Sequence, residues 1–198
     1  MTARLVVLAS GGGSNLQAII DACADGRLDA AVGLVVTDRA AVGALDRADR
    51  HGIDHHVVTA MPGHDRREYD AALADVVAQS NPHFVVLAGW RRLLTMSFLG
   101  RFPGRVINLH PALPGDLPGL NAIERAHAEA IAGARNHTGV MVHFVPDEGV
   151  DDGPVIATRR VDIASDESLA SLQYRIHATE HELLIAALHS VLAQEDSP

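Results

Sequence analysis

The stretch Leu5-Val6-Val7-Leu8-Ala9-Ser10-Gly11-Gly12-Gly13-Ser14-Asn15 decides the fold. Residues 5–9 are apolar without a break, which reads as a strand covered on both faces rather than one half in water. The glycines turn the chain, and the spacing from Asn15 to about Ala24 predicts a helix. The same alternation continues with a strand over 30–36, a helix over 41–51 ending near Gly52, and a third strand over 54–58. Strand, helix, strand, helix, strand is the order of an α/β, doubly wound, mostly parallel sheet, because parallel neighbours need a crossover between them.

Outward from there, a polar loop with Pro62 and Gly63 leads to a helix over 65–79, whose apolar residues Tyr69, Leu73, Val76 and Val77 fall at helical spacing. Strands are predicted over 83–88, ending in Gly89, and over 105–110, with a turn or short helix over 94–99 between them. Three prolines and two glycines within 111–119 make an irregular loop. Asn121 is positioned to cap a helix through Gly133, strands follow over 138–145 and 154–162, and a long helix occupies 165–193 before a frayed tail at 194–198. The expectation is a single domain over 1–198, in which 1–110 forms a regular half and 111–198 completes it with an appended strand pair and long helix.

Composition narrows the function. Sixteen basic against 25 acidic residues leave a formal charge of −9, which argues against nucleic acid as a partner and favours small molecules. The lone Cys23 cannot form an internal disulfide and reads as an apolar filler in a reducing compartment. The apolar run after Arg4 is too short for a signal sequence, and no segment approaches the length needed to cross a bilayer, so no membrane partner and a cytoplasmic location are expected.

Two places carry chemistry. Glycines 11–13 with Ser14 and Asn15 lie between strand and helix, where backbone N–H groups and the helix dipole receive an anion. The turn lacks the Lys-Ser/Thr of a phosphate-binding P-loop, and Leu16 stands where a dinucleotide fingerprint needs its third glycine, so no nucleotide cofactor is expected. A tight turn with Ser14 or Asn15 as helix cap explains the same residues equally well.

The second place is Val106-Ile107-Asn108-Leu109-His110-Pro111. Strand alternation puts Asn108 and His110 on one face, and Pro111 ends the strand there. An imidazole can move a proton near neutral pH, and an amide can donate to an oxyanion, which together suit acyl or formyl transfer. Asp147, Glu148, Asp151 and Asp152 crowd a later loop, and spacing does not say which of them reaches His110. Arg66 reads as a phosphate partner or a solvated charge, and Trp90-Arg91-Arg92 as a pocket wall or edge packing. His143 is most simply a half-buried strand residue, and Glu180-His181 the polar face of the last helix. No HExxH or cysteine-rich spacing appears, so no metal is expected.

The segments GGGSNLQ (11–17), LAGWRRLL (87–94), NLHP (108–111), Pro118-Gly119, Val142-His143-Phe144 and Asp151-Asp152-Gly153-Pro154 occur in an order that resembles the phosphoribosylglycinamide formyltransferases of the folate-dependent formyltransferase superfamily. The resemblance covers nearly the whole chain. It implies a Rossmann-like formyltransferase fold and transfer of a formyl group from 10-formyltetrahydrofolate, as co-substrate, to glycinamide ribonucleotide in purine synthesis. By position it implies Asn108, His110 and Asp151 as catalytic residues. Gly13, Ser14, Asn15, Arg66 and Glu180 would bind the ribonucleotide. Arg92, Leu93, Leu94, Val145, Asp147, Glu148 and Val150 would line the folate pocket. A monomer or homodimer fits this family.

Two departures stand out: Pro114-Gly115-Asp116-Leu117 where the family commonly has Leu-Pro, a basic or small residue and an aromatic, and Arg91 in place of an apolar residue. A transfer-RNA formyltransferase is expected to carry a further C-terminal domain and a basic face, and the acidic chain of 198 residues is read as having neither. A formyltetrahydrofolate hydrolase is expected to carry an N-terminal regulatory domain. A sugar-nucleotide formyltransferase and a silent phosphate-binding module are the remaining alternatives.

Overall fold

The computed structural model describes residues 2–60, 63 and 65–195; Pro62 of the predicted polar loop and residues 196–198 of the predicted tail lie outside the described residues. In chain order the elements are β1 (Ala3–Ala9), α1 (Ser14–Ala24), β2 (Ala30–Thr37), α2 (Gly43–Arg50), β3 (His55–Val57), α3 (Arg66–Ala78), β4 (Phe84–Leu87), α4 (Met96–Leu99), β5 (Val106–His110), α5 (Ala122–Ile131), β6 (His137–Phe144), β7 (Val155–Asp162) and α6 (Leu169–Glu195). The apolar run at the start of the chain forms the middle of a seven-stranded sheet, ordered β3-β2-β1-β4-β5-β6-β7. Alternation along β1 sends Leu5, Val7 and Ala9 to a layer with Leu16 and Ile19 of α1 and Leu184 and Leu188 of α6. Val6 and Leu8 go to the other, with Leu73 and Val77 of α3 and Phe98 of α4. Full burial of each large side chain contributes about 1.5–3 kcal/mol.

β1 to β5 pair in parallel, and the winding direction reverses between β1 and β4. In such sheets the crevice at the carboxyl ends of the reversing strands is where ligands bind. The two loops leaving β1 and β4 are joined there, as the Ser10 N–H donates to the Gly89 carbonyl at 3.2 Å. The C-terminal strand pair is appended to this sheet, as expected. β6 pairs antiparallel with β5 and β7 with β6, extending the same sheet and setting His143 directly opposite Asn108.

Boundaries shift where local capping wins over periodicity. α6 starts at Leu169 rather than 165 because the Ser168 hydroxyl accepts from the Ser171 N–H, while Glu167 is held by Arg175 and Ser171. Asn121 sits at the start of α5 in the left-handed region (φ 58°), with no side-chain capping bond; its carbonyl instead accepts from the Arg125 N–H. The 111–121 loop has an anchor of its own. Asp116, one of the two departures, takes two hydrogen bonds from the Arg135 guanidinium (2.6 and 2.9 Å), which also holds Glu129. Arg135 keeps the Asp116 carboxyl below its ordinary value. No helix among the described residues is long and apolar enough to cross a membrane.

Candidate active site

β5 ends where β1 and β4 end, so Asn108 and His110 open into the crevice on one face, as alternation requires. Of the four acids in the loop after β6, Asp151 is the one that meets them. Its Oδ1 accepts from Asn108 Nδ2 at 2.9 Å, its Oδ2 lies 3.3 Å from His110 Nδ1, and Oδ2 also accepts from the Gly119 N–H at 2.8 Å. Asp151 reaches this position through a left-handed backbone (φ 54°). Burial alone works to raise its carboxyl, but the bond from the Gly119 N–H and the nearby imidazoles outweigh that, and it stays below its ordinary value.

His143 completes the cluster and is not the half-buried strand residue that its spacing suggests. It is buried, its Nδ1 lies 2.8 Å from the Phe144 carbonyl, and its Nε2 lies 3.1 Å from Asn108 Nδ2. With the Nδ1 hydrogen given to Phe144, Nε2 is an acceptor. Both hydrogens of the Asn108 amide are therefore engaged, one by Asp151 and one by His143.

His110 is buried, with Nε2 3.1 Å from the Leu117 carbonyl and Nδ1 facing Asp151. A neutral ring carries one N–H and satisfies one of these two oxygens; an imidazolium satisfies both. Burial pushes the ring's proton affinity down, and Asp151 and the Leu117 carbonyl offset this only in part. His110 is thus neutral at rest, with two oxygens already placed to hold the cation formed when it takes a proton. Leu117 stands with φ 45°, strained for a bulky residue, so a second off-minimum backbone serves the same ring.

The glycine turn is built to leave its N–H groups free. Gly13 takes the cap position of α1 at φ 73°, and no side chain caps the helix, so neither Ser14 nor Asn15 has the capping role. A Cβ on Gly13 would lie 2.8 Å from Ala44 Cα, so both conformation and space require glycine there. Asn15 instead donates to Glu180 Oε2 at 3.3 Å, and its Oδ1 is buried without a partner.

Glu180 is buried and faces this turn, rather than lying on a polar helix face. One turn earlier on α6, His177 donates from Nδ1 to Glu180 Oε2 at 2.9 Å, and Glu180 raises its proton affinity. His177 escaped the sequence reading, although its place three residues before Glu180 puts it on the same helical face.

One cavity of about 610 Å³ joins these groups. Gly11 to Asn15, His177 and Glu180 line it together with Asn108, His110, His143 and Asp151. Trp90 to Leu94, Val145, Asp147, Gly149 and Val150 line the same cavity. Arg92 there lies 4.9 Å over the Tyr69 ring. The Arg91 N–H donates to Ser10 Oγ at 3.1 Å, tying the loops after β1 and β4 together, while its side chain remains exposed on the cavity wall.

Two expected residues do not line the cavity. Arg66 is exposed at the first position of α3, and Glu148 turns away to accept from the Met96 N–H at 2.9 Å, which closes the 145–150 loop over α4. Among the described residues no three His, Cys, Asp or Glu side chains gather as a metal ion requires.

The formyl transferase family model matches residues 3–188. The chain belongs to the formyl transferase family. It is 43% identical over 204 residues to the phosphoribosylglycinamide formyltransferase of Schizosaccharomyces pombe, spanning 97% of this chain and 98% of that one. The Escherichia coli enzyme of the same name is 37% identical over 91% of this chain and 82% of its own. In three dimensions the chain is similar to the crystal structure of phosphoribosylglycinamide formyltransferase from Bacillus halodurans, with a TM-score of 0.90 and 36% identity over 98% of this chain and 97% of that one.

Proposed function

We propose that the chain transfers the formyl group of 10-formyltetrahydrofolate to the amine of glycinamide ribonucleotide in purine synthesis. The observation that carries this is one cavity shared by the glycine turn, by Asn108, His110 and Asp151, and by the Trp90–Leu94 and 145–150 segments. The ribonucleotide phosphate lies on the Gly13–Asn15 turn, with Glu180 toward the ribose. His177, whose proton is held more tightly by its bond to Glu180, stands beside this turn where Arg66 does not reach in this arrangement. The folate lies along Arg92, Leu93, Leu94, Val145, Asp147 and Val150.

The amine then attacks the formyl carbon. A C–N bond forms, the carbonyl electrons move to oxygen, and the amine proton passes toward His110, whose cation Asp151 holds. The oxyanion draws the Asn108 hydrogen now given to His143, the one of the two whose loss leaves no carboxylate unpaired. Collapse breaks the bond to the folate nitrogen, which takes the proton held on His110 as it leaves and restores the neutral ring. Such an enzyme of small metabolites works in the cytoplasm.

Folate release followed by absorbance, with and without the ribonucleotide, tests this. Release should require the ribonucleotide; equal release in both would indicate a hydrolase, and none in either a binding module. A pH profile gives a second check. Because His110 holds its proton less tightly than an ordinary imidazole (6.5), kcat should keep its plateau as the pH falls through 6.5 and decline only below it. An acid limb centred above 6.5 would contradict a neutral His110 acting as the base.

A further inference from the structure

The carbonyls of the glycine turn are all tied off on the side away from the cavity. Gly11 O accepts from the Ala44 N–H at 3.1 Å, Gly13 O from the Gln17 N–H at 2.9 Å, and Gly12 O from Arg47 Nε at 2.8 Å. The first two donors are backbone groups that any sequence supplies. The third is a side chain reaching across from α2. Arg47 spends a second arm on the same job: its Nη1 donates to Gln17 Oε1 at 2.9 Å, and Gln17 is itself held through Nε2 by Asp21 (2.8 Å) and lies 3.0 Å from His51 Nε2. Among the described residues no carboxylate lies within ion-pair distance of Arg47, so its charge stays uncancelled directly behind the turn.

A peptide plane has two ends. Holding the Gly12 carbonyl backward holds the Gly13 N–H, on the same plane, toward the cavity. Glycines have little torsional preference of their own, so the plane needs an outside clamp to stay in one orientation. We propose that Arg47 is that clamp: a positioning residue that presets the turn for a phosphate monoester by gripping Gly12 O with Nε and Gln17 with Nη1. It touches no substrate. It lowers the ordering cost of binding and adds a positive field behind the anion. The inference deepens the functional reading above and rests on it for the identity of the phosphate.

Arg47 is half-buried and borders a second cavity of about 360 Å³ lined by Ser14, Gln17, Asp21, Arg27 and His181, which leaves room for other side chains without overpacking. Arg47→Lys keeps the charge and loses the fork; Arg47→Gln loses both. Binding of ribose 5-phosphate, read by calorimetry, should weaken about 10- to 100-fold in both variants, the size expected for losing a charge-assisted hydrogen bond and the order it imposes. The ribonucleotide KM should rise in parallel, with kcat at saturation, the KM for the formyl donor and the melting temperature unchanged.

Wild-type affinity in Arg47→Lys would overturn the clamp, since a point charge would then suffice. A fall in kcat, or an equal rise in both KM values, would overturn it in favour of a general structural role. If the wild-type protein binds ribose 5-phosphate and the variants lose that binding while no formyl transfer is seen, the clamp stands and the functional reading alone fails.

Discussion

Replacing Asp151 by asparagine should lower kcat by about 10³- to 10⁴-fold, the loss commonly seen when a carboxylate orienting a catalytic histidine is neutralised. The substitution keeps volume and shape, so the loss comes from charge and hydrogen-bond polarity alone. Asp151 offers only acceptors, and it faces three groups: Asn108 Nδ2, the Gly119 N–H and His110 Nδ1. An asparagine there has one acceptor oxygen and one donor nitrogen, so its NH₂ must oppose either the Asn108 amide or the Gly119 N–H. Either choice pries a hydrogen bond open on one side of the site. The His110 cation also loses its counter-charge inside a buried setting, where Asp151 is the leading influence that raises the ring's proton affinity. Steady-state rates with both substrates saturating measure the effect, and a melting curve checks that the fold is intact. A variant within tenfold of wild type would remove Asp151 from the proton-handling role.

Gly153→Ala should be nearly as damaging to turnover, though Gly153 touches no substrate. A Cβ at this position would lie 1.9 Å from the Phe144 carbonyl oxygen and 2.9 Å from Pro146 Cδ. The obstacle is backbone, which cannot rotate aside as a side chain can. That carbonyl accepts the His143 Nδ1 hydrogen, and the Phe144 N–H donates to the Pro154 carbonyl. The methyl group therefore displaces either the Asp151–Gly153 turn or the end of β6, and each carries one of the two groups that fix the Asn108 amide. Overpacking of this kind costs about 1–3 kcal/mol, a fall of roughly 2–12 °C in Tm for a chain of this length. The drop in kcat should exceed about 10²-fold, because a displacement near 1 Å at the reacting groups costs that much. Gly149→Ala is the comparison: its nearest obstacle is the Asp152 carboxylate, a side chain free to turn away, and it should keep most of the activity. If Gly149→Ala and Gly153→Ala behaved alike, backbone contact at Gly153 would not be what holds the loop.

The parallel half of the fold was legible because its signals are local. Apolar runs of strand length, glycine at their ends and helical spacing between them lead to β1 through β5 and to the common face of Asn108 and His110. The glycine turn between β1 and α1 was equally readable, since glycines between a strand and a helix carry their geometry with them. What escaped depends on pairing between distant segments. His143 belongs to the site because β6 runs antiparallel to β5 in a register that sets it against Asn108, and nothing within residues 138–145 encodes that register. Spacing left Asp151 among four acids and the family resemblance alone pointed to it; the structure brings it to His110 through a left-handed backbone and a bond from the Gly119 N–H of another loop. His177 joins the glycine turn through Glu180 because of which face of α6 packs against α1, a tertiary fact that no local pattern carries. Asp116 looked like a disturbance of its loop and is an anchor, its partner Arg135 lying 19 residues later.

The hydrogen bond from Asn15 to Glu180 joins residues 165 positions apart, and the Asn108–His110 pair is closed by Asp151, 43 positions after Asn108. Both ends of the chemistry thus draw on the last third of the polypeptide. During synthesis the parallel half emerges first and can form its sheet, yet it has Asn108 and His110 without their carboxylate and a phosphate turn without its far wall. Neither half alone holds the assembled site: the carboxylate beside His110 waits for the loop after β6, and the side chain that holds Asn15 waits for α6 to dock.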